Sequence, residues 1–174
     1  MEGGDIFLVF SMRIFSLHFL CRLLFPLMLC LPAVAESNFQ APAINRLLAA
    51  EAIESLASGI RYRYGGTDPA SGLDCSAFIG HLFRAAVGGT LPRTTTEIRE
   101  VGAHVSRNDI KPGDLVFFSN DKRHVSHVGV YIGGAKFVHA SRKHGVIRKS
   151  GLNEPYWQHR FHGVRRLAGV KPTS

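Results

Sequence analysis

The polar and apolar positions change rhythm part-way along the chain. From Ala43 to Ser58 the apolar residues Ile44, Leu47, Leu48, Ile53 and Leu56 recur at spacings near three and four, which predicts an amphipathic helix closed by Gly59. Residues 62–72 are rich in Gly, Asp and Pro and read as a loop. A second helix is expected over Cys75–Val87: Asp74 can cap it, Phe78, Ile79, Leu82, Phe83 and Ala86 form its buried side, and Gly88-Gly89 ends it. Thr94 with Glu97 three residues on is the capping-box pattern, so a short third helix should start there and stop by Gly102.

Beyond Pro112-Gly113 the helical period gives way to short runs of β-branched and aromatic residues: 115–118, 128–132, 137–140, 146–148 and 161–167. Helices come first and the strands are joined by connections too short for crossover helices. The fold class expected is therefore α+β, with N-terminal helices packed on an antiparallel sheet of about five to six strands.

The first 35 residues follow neither rhythm. Arg13 and Arg22 precede the uncharged run Leu23–Leu31, followed by Pro32 and the small-residue triplet Ala33-Val34-Ala35, the pattern of a secretory signal cleaved before Glu36. Glu2 and Asp5 suit such a signal poorly, and a start at Met12 fits it better. Arg22 and Pro26 leave the run well short of the roughly 20 apolar residues of a membrane span. Cys30 raises the option of a lipoprotein anchor, which the large Leu29 before it disfavours. The reading is thus a leader over 1–35, a short polar linker over 36–43, one domain over 44–168 and a tail over 169–174, in an exported protein of the periplasm or cell envelope. A monomer is expected.

The leader takes two arginines and two acids with it, and 21 Lys and Arg against 13 Asp and Glu in the whole chain make the net charge +8 with or without it. A basic exported domain suits a polyanionic partner, with plain solubility as the alternative. No cluster of Lys and Arg with interleaved aromatics points to nucleic acid. Of the three cysteines, Cys21 and Cys30 leave with the leader, so Cys75 remains alone and is either an inert core residue or a reactive one.

Its surroundings favour reactivity. Cys75 is placed in the first turn of a helix, where free backbone N–H groups and the helix dipole favour a thiolate. A nucleophilic cysteine also needs a base within reach and a third group to orient it. His127 opens one expected strand and His139 lies near the end of the next. A two-residue loop between them would put the two histidines on opposite faces. A three-residue loop, Ile132-Gly133-Gly134, would pair Tyr131 with Ala135 and set His127 directly opposite His139. The double glycine permits it. His124, His127, His139 and Cys75 can also be read as a zinc set, but His124 sits in a polar turn, no paired ligands share a helix, and no metal or other cofactor is expected.

Tyr62-Arg63-Tyr64-Gly65-Gly66, Asp74-Cys75-Ser76, Leu91-Pro92-Arg93, Pro112-Gly113-Asp114-Leu115-Val116-Phe117-Phe118, His127-Val128-Gly129-Val130-Tyr131-Ile132-Gly133 and Phe137-Val138-His139-Ala140 stand in an order that resembles the NlpC family of papain-like cell-wall cysteine peptidases. The ending Asn153-Glu154-Pro155-Tyr156-Trp157 with Arg165-Arg166 is closest to the Spr-type murein endopeptidases of that family. The resemblance implies a papain-like fold, Cys75 as nucleophile, His127 as general base and acid, His139 as the group orienting His127, and Tyr62 supporting the oxyanion beside the Cys75 N–H. It places Asp74 and Ser76 in the substrate pocket. Arg93 could bind a stem-peptide carboxylate through its guanidinium fork, or simply fix its loop. Val130 and Ala77 depart from the residues commoner in the family, and both keep size and polarity.

The activity implied is hydrolysis of amide bonds in peptidoglycan stem peptides or cross-links, with the D,D bond favoured. A D-glutamyl-diaminopimelate endopeptidase, a Cys-His amidase or acyltransferase, and a non-catalytic wall-binding module are the alternatives. Tyr156 and Trp157 are expected to pack against the sheet, and His81, His104, His144, His159 and His162 receive no role.

Overall fold

The computed structural model describes residues 37–120 and 124–167. The leader with Met12 and Cys30, and the tail 169–174, lie outside them. Among the described residues no helix is long and apolar enough to cross a membrane.

The first helix, α1 (Ser37–Glu54), begins six residues before the expected start, so most of the stretch read as a linker is helical. Ala, Leu, Gln and Glu dominate it, and these residues form helix readily. A single 3-10 turn, Ser55–Ala57, carries it to Gly59. The stretch read as a loop contains a small antiparallel hairpin, β1 (Thr67–Asp68) with β2 (Gly72–Leu73). Strands of two residues are too short to leave a period of two in the sequence.

The second and third helices form as expected. In α2 (Cys75–Val87) the Asp74 carboxylate accepts the Ala77 N–H at 2.8 Å, and Gly88, at φ +72°, closes the other end. In α3 (Thr95–Arg99) the Thr94–Glu97 capping box is complete.

The sheet has six strands, all antiparallel: β3 (Ala103–Val105), β4 (Leu115–Ser119), β5 (Val125–Gly133), β6 (Lys136–Ser141), β7 (Val146–Gly151) and β8 (Phe161–Arg166). Their order is β3-β8-β4-β5-β6-β7, so the last strand inserts between the third and the fourth. The sheet carries the five expected strands, and β3 is the addition. It is a three-residue edge strand with only Val105 buried, and nothing in its composition announces it.

The two faces of the sheet bury different cores. Leu115, Phe117, Val128, Val130, Val138 and Ala140 face α1 and α2, packing on Leu48, Phe78, Ile79 and Leu82. Val116, Phe118, Phe137 and Val164 form the second core, roofed by Trp157. Phe78, Phe83, Phe117, Phe118 and Phe137 are all essentially inaccessible, and burying each such side chain contributes roughly 1.5–3 kcal/mol. Trp157 belongs to a fourth helix, α4 (Pro155–Arg160), which starts on a proline suited to the first helical turn. Six residues give too few turns for periodicity to reveal.

Asp114 joins the layers at one corner. Its side chain is fully buried, and it accepts from Asn45 Nδ2 of α1 at 2.7 Å, from the Lys111 N–H at 2.8 Å and from Arg166 of β8, whose Nε and Nη2 lie at 2.8 and 2.7 Å. A buried carboxylate is tolerable only when bonded in this way.

Candidate active site

One local irregularity sets up the site. In the pairing of β4 with β5, Phe118 faces His127 but Ser119 faces Val125, so Ser126 is an extra, bulged residue. Val125 and Val128 consequently both face the helical core, and His127 between them turns to the opposite face. The backbone of the bulge reaches α2, where the Ser126 carbonyl lies 4.0 Å from Cys75 Sγ.

His139 reaches His127 from the next strand, by a register different from the one expected. Val130 pairs with Val138 and Tyr131 with Phe137, so Tyr131 does not pair with Ala135 and His127 is not directly opposite His139. The tight turn is Gly134-Ala135, with φ of +57° and +55°, and Gly133 pairs with Lys136. Ile132 is a bulge rather than part of the turn. An odd number of residues still separates the paired positions, which keeps the two histidines on one face, as expected. The shift makes them diagonal neighbours, a separation two imidazoles can span. Gly129 makes room beside them: a Cβ there would stand 2.6 Å from the Phe137 ring and 3.2 Å from His139 Cβ.

Side chains then form a chain of contacts. His127 Nε2 lies 2.8 Å from His139 Nδ1, and His139 Nε2 lies 3.1 Å from Ser150 Oγ on β7. One arrangement of protons that satisfies this chain has His127 Nε2–H donating to His139 Nδ1 and His139 Nε2–H donating to Ser150, which leaves His127 Nδ1 unprotonated. Trp157 stacks on His127, with centroids 5.5 Å apart and planes at 24°, and meets His139 edge-on. Ser150 carried no signal in the sequence, because a serine in a strand is ordinary until its cross-strand neighbour is known. Trp157 does pack on the sheet, and the surface it packs on includes both imidazoles.

Burial decides the charge state of the group. It pushes the His127 imidazole down from 6.5 to about 4, and His139 further, with the neighbouring imidazole and Arg148 adding to the effect. Burial also pushes the Cys75 thiol up, helped by the Asp74 carboxylate, while the Thr95 hydroxyl and the Val128 and Ser76 N–H groups pull it back. The resting pair is therefore thiol and neutral imidazole. The thiolate expected from the helix N-terminus alone does not dominate, because Cys75 is only 9% exposed and an anion there loses its hydration. Thr95, the first residue of α3, places Oγ1 3.7 Å from the sulfur. No local pattern distinguishes it from its neighbours in Thr94-Thr95-Thr96.

The other expected residues gather around Cys75. Tyr62 lines the same open cleft, about 1120 Å³ in volume, with Asp74, Ser76 and Arg93. Burial and the nearby cysteine hold its phenol above the ordinary value, so it remains a hydrogen-bond donor at neutral pH. Arg93 is turned inward: Nη1 donates to Asp74 Oδ1 at 3.1 Å and Ser76 Oγ at 2.9 Å, and Nη2 to Asp74 Oδ2 at 2.7 Å. Its fork is occupied by a carboxylate of the protein itself. Among the described residues no group of three or more His, Cys, Asp or Glu side chains is arranged to hold a metal ion.

Comparison with known proteins gives similarities of both sequence and structure. Residues 59–166 match the NlpC/P60 family. Among curated proteins the chain is 48% identical over 109 residues to the murein DD-endopeptidase MepS/murein LD-carboxypeptidase of Escherichia coli strain K12, covering 63% of this chain and 56% of that protein. It is 42% identical over 110 residues to the gamma-DL-glutamyl hydrolase of Bacillus subtilis strain 168, covering 63% of this chain and 26% of that one. The chain thus spans about half the length of the first relative and about a quarter of the second. Among solved structures it resembles an NlpC/P60 family protein from Bacillus cereus ATCC 10987, with a TM-score of 0.61 at 30% identity, covering 69% of this chain and 40% of that one.

Proposed function

The chain belongs to the NlpC/P60 family, and on that footing we propose that it is an exported cysteine endopeptidase that hydrolyses amide bonds in peptidoglycan stem peptides or their cross-links. The single observation that carries the reading is the alignment of Cys75, at the head of α2, with the bulge that presents His127, itself bonded to His139.

The geometry supports the following chemistry. His127 Nε2 is engaged by His139, so Nδ1 takes the Cys75 proton as the sulfur attacks the amide carbon. The oxyanion that forms is stabilised by the Cys75 backbone N–H, unpaired in the first turn of α2, and by the Tyr62 phenol. His127 then protonates the leaving amine, and water, deprotonated by the same imidazole, releases the acyl group. His139 keeps the His127 ring in the productive tautomer, with Ser150 fixing His139 in turn. Asp74 and Ser76 line the cleft beside the nucleophile, and Arg93 holds both in place.

Cleavage of the D,D cross-link is the favoured bond, supported by the relative named as a murein DD-endopeptidase. The relative named as a gamma-DL-glutamyl hydrolase supports a D-glutamyl bond as the second reading. A peptidoglycan substrate and the leader over 1–35 together support a periplasmic or envelope location, without lipidation of Cys30.

Purified sacculi digested with the protein and analysed by mass give the test. Dimeric muropeptides converted to monomers support the D,D reading, and shortened stems with a new N-terminus at the third residue support the D-glutamyl one. Intact sacculi, or equal digestion by Cys75→Ala, would overturn the proposal.

A further inference from the structure

A group of cations lines the cleft without an ion-pair partner among the described residues. Arg142, Lys143 and His144 sit in the turn between β6 and β7, and Arg148 on β7 is the cross-strand partner of His139, so it projects from the same face. The turn is fastened next to the site, since its Gly145 carbonyl accepts the Tyr62 N–H at 2.8 Å. Arg142 reaches back over the Tyr64 ring, with its guanidinium carbon 5.9 Å from the centroid.

Among the described residues two carboxylates line the cleft, and both are engaged elsewhere. Asp74 holds Arg93 and caps α2. Glu154 accepts the Gly151 N–H at 2.6 Å. Among the described residues no carboxylate forms an ion pair with Arg142, Lys143 or Arg148. Crowding of like charge is felt locally: after burial, Arg148 and Lys143 are what push the His144 imidazole down. Cations held together without a counter-charge repel, and an anion entering the cleft removes that repulsion.

We propose that Arg142, Lys143 and Arg148 form a subsite that binds a carboxylate of the peptide substrate next to the bond attacked by Cys75. This role was open to Arg93 from sequence, and the occupied fork of Arg93 moves it to the β6–β7 turn. Two guanidinium groups lining one cleft suit a carboxylate better than a neutral amide, because each offers parallel N–H donors. The assignment of the ligand as a peptide carboxylate rests on the proposed function; the presence of an anion-attracting subsite beside Cys75 does not.

The test separates the two. Alkylation of Cys75 by iodoacetate and by iodoacetamide compares reagents of similar size that differ by one negative charge. The ratio of the two rate constants is expected to fall about fivefold in the double variant Arg142→Gln with Arg148→Gln, and to persist when both are changed to lysine. The wild-type ratio is also expected to fall as sodium chloride rises, which serves if the glutamine variant does not fold. A ratio unmoved by salt, or unmoved by the glutamine substitutions in a folded variant, overturns the subsite. In the substrate arm, a stem peptide with a free acid and its amidated counterpart are compared by kcat/KM. The wild-type preference for the acid should shrink several-fold in the glutamine variant, and an equal loss on both peptides overturns the carboxylate assignment. If neither peptide is cleaved by wild-type protein, the function proposed above fails, while the alkylation ratio still decides the subsite.

Discussion

His127 and His139 are joined by a contact of 2.8 Å although they are not cross-strand partners: Val130 faces Val138, and the two imidazoles meet on the diagonal. The contact fixes which nitrogen of His127 is left for Cys75. Replacing His139 with alanine removes it while leaving base and nucleophile in place. His139→Ala is expected to lower kcat by about 10²- to 10³-fold with a small change in KM. Wild-type kcat in a folded His139→Ala enzyme would show that His127 is oriented by something else.

The pH profile should sit lower than two ordinary groups would place it. His127 must be neutral to accept the thiol proton, and burial takes its imidazole to about 4. The sulfur, pushed above its ordinary value, keeps its proton through neutrality. Plotted against pH, kcat/KM is expected to rise through an acid limb near 4 and stay flat from about pH 5.5 to 8. An acid limb at 6.5 would mean that the imidazole is solvated in the working enzyme.

The same burial makes folding sensitive to mild acid. Both imidazoles have lower values in the folded chain than the 6.5 of an unfolded one, so the unfolded state takes up protons first. The stability they contribute is fully present above pH 6.5 and is lost as pH falls from there through about 4. For His127 alone the loss amounts to roughly 3 kcal/mol. Urea unfolding at pH 7 and pH 5 should show the decline, and His139→Gln should flatten it. A slope unchanged in His139→Gln would trace the acid sensitivity to other groups.

Thr95 is expected to tune the nucleophile. Its hydroxyl, 3.7 Å from Cys75 Sγ, stabilises negative charge on the sulfur. Thr95→Val keeps the shape and removes the donor. The pH at which alkylation of Cys75 by iodoacetamide reaches half its maximum should move upward, with the rate at pH 7 reduced a few-fold, and Thr95→Ser should restore both. A purely structural role would leave that pH unchanged in Thr95→Val.

Asp114 tests the corner where α1, the loop before β4, and β8 meet. Asp114→Ala removes the acceptor of the buried Asn45 Nδ2 and the carboxylate partner of Arg166, which keeps only the Asp109 carbonyl, and should cost about 3 kcal/mol in chemical denaturation. Asp114→Asn retains the shape and part of the bonding and should cost less. Equal and small losses would mean that water replaces the carboxylate without penalty.

Much of this was legible from residue order, because it is decided within a few residues. Asp74 and Thr94 cap the helices that follow them through bonds three residues long, and Phe78, Ile79, Leu82 and Phe83 announce a buried face at helical spacing. The α+β class and the five main strands follow from period, whereas the shared face of His127 and His139, expected through a three-residue loop, is reached through a two-residue turn and the Ile132 bulge. What the sequence left open depends on partners far along the chain. The bulge at Ser126, the two-residue turn with its Ile132 bulge, β3 and the hairpin all require knowing which strand lies alongside, and one or two residues carry no period. Ser150, Thr95 and Trp157 acquire meaning only where 11, 20 and 30 residues of chain are closed into contact with His139, Cys75 and His127. The charge of the site was settled at the same level: a helix N-terminus favours a thiolate in any sequence, but only the packed core determines how much water remains to solvate it.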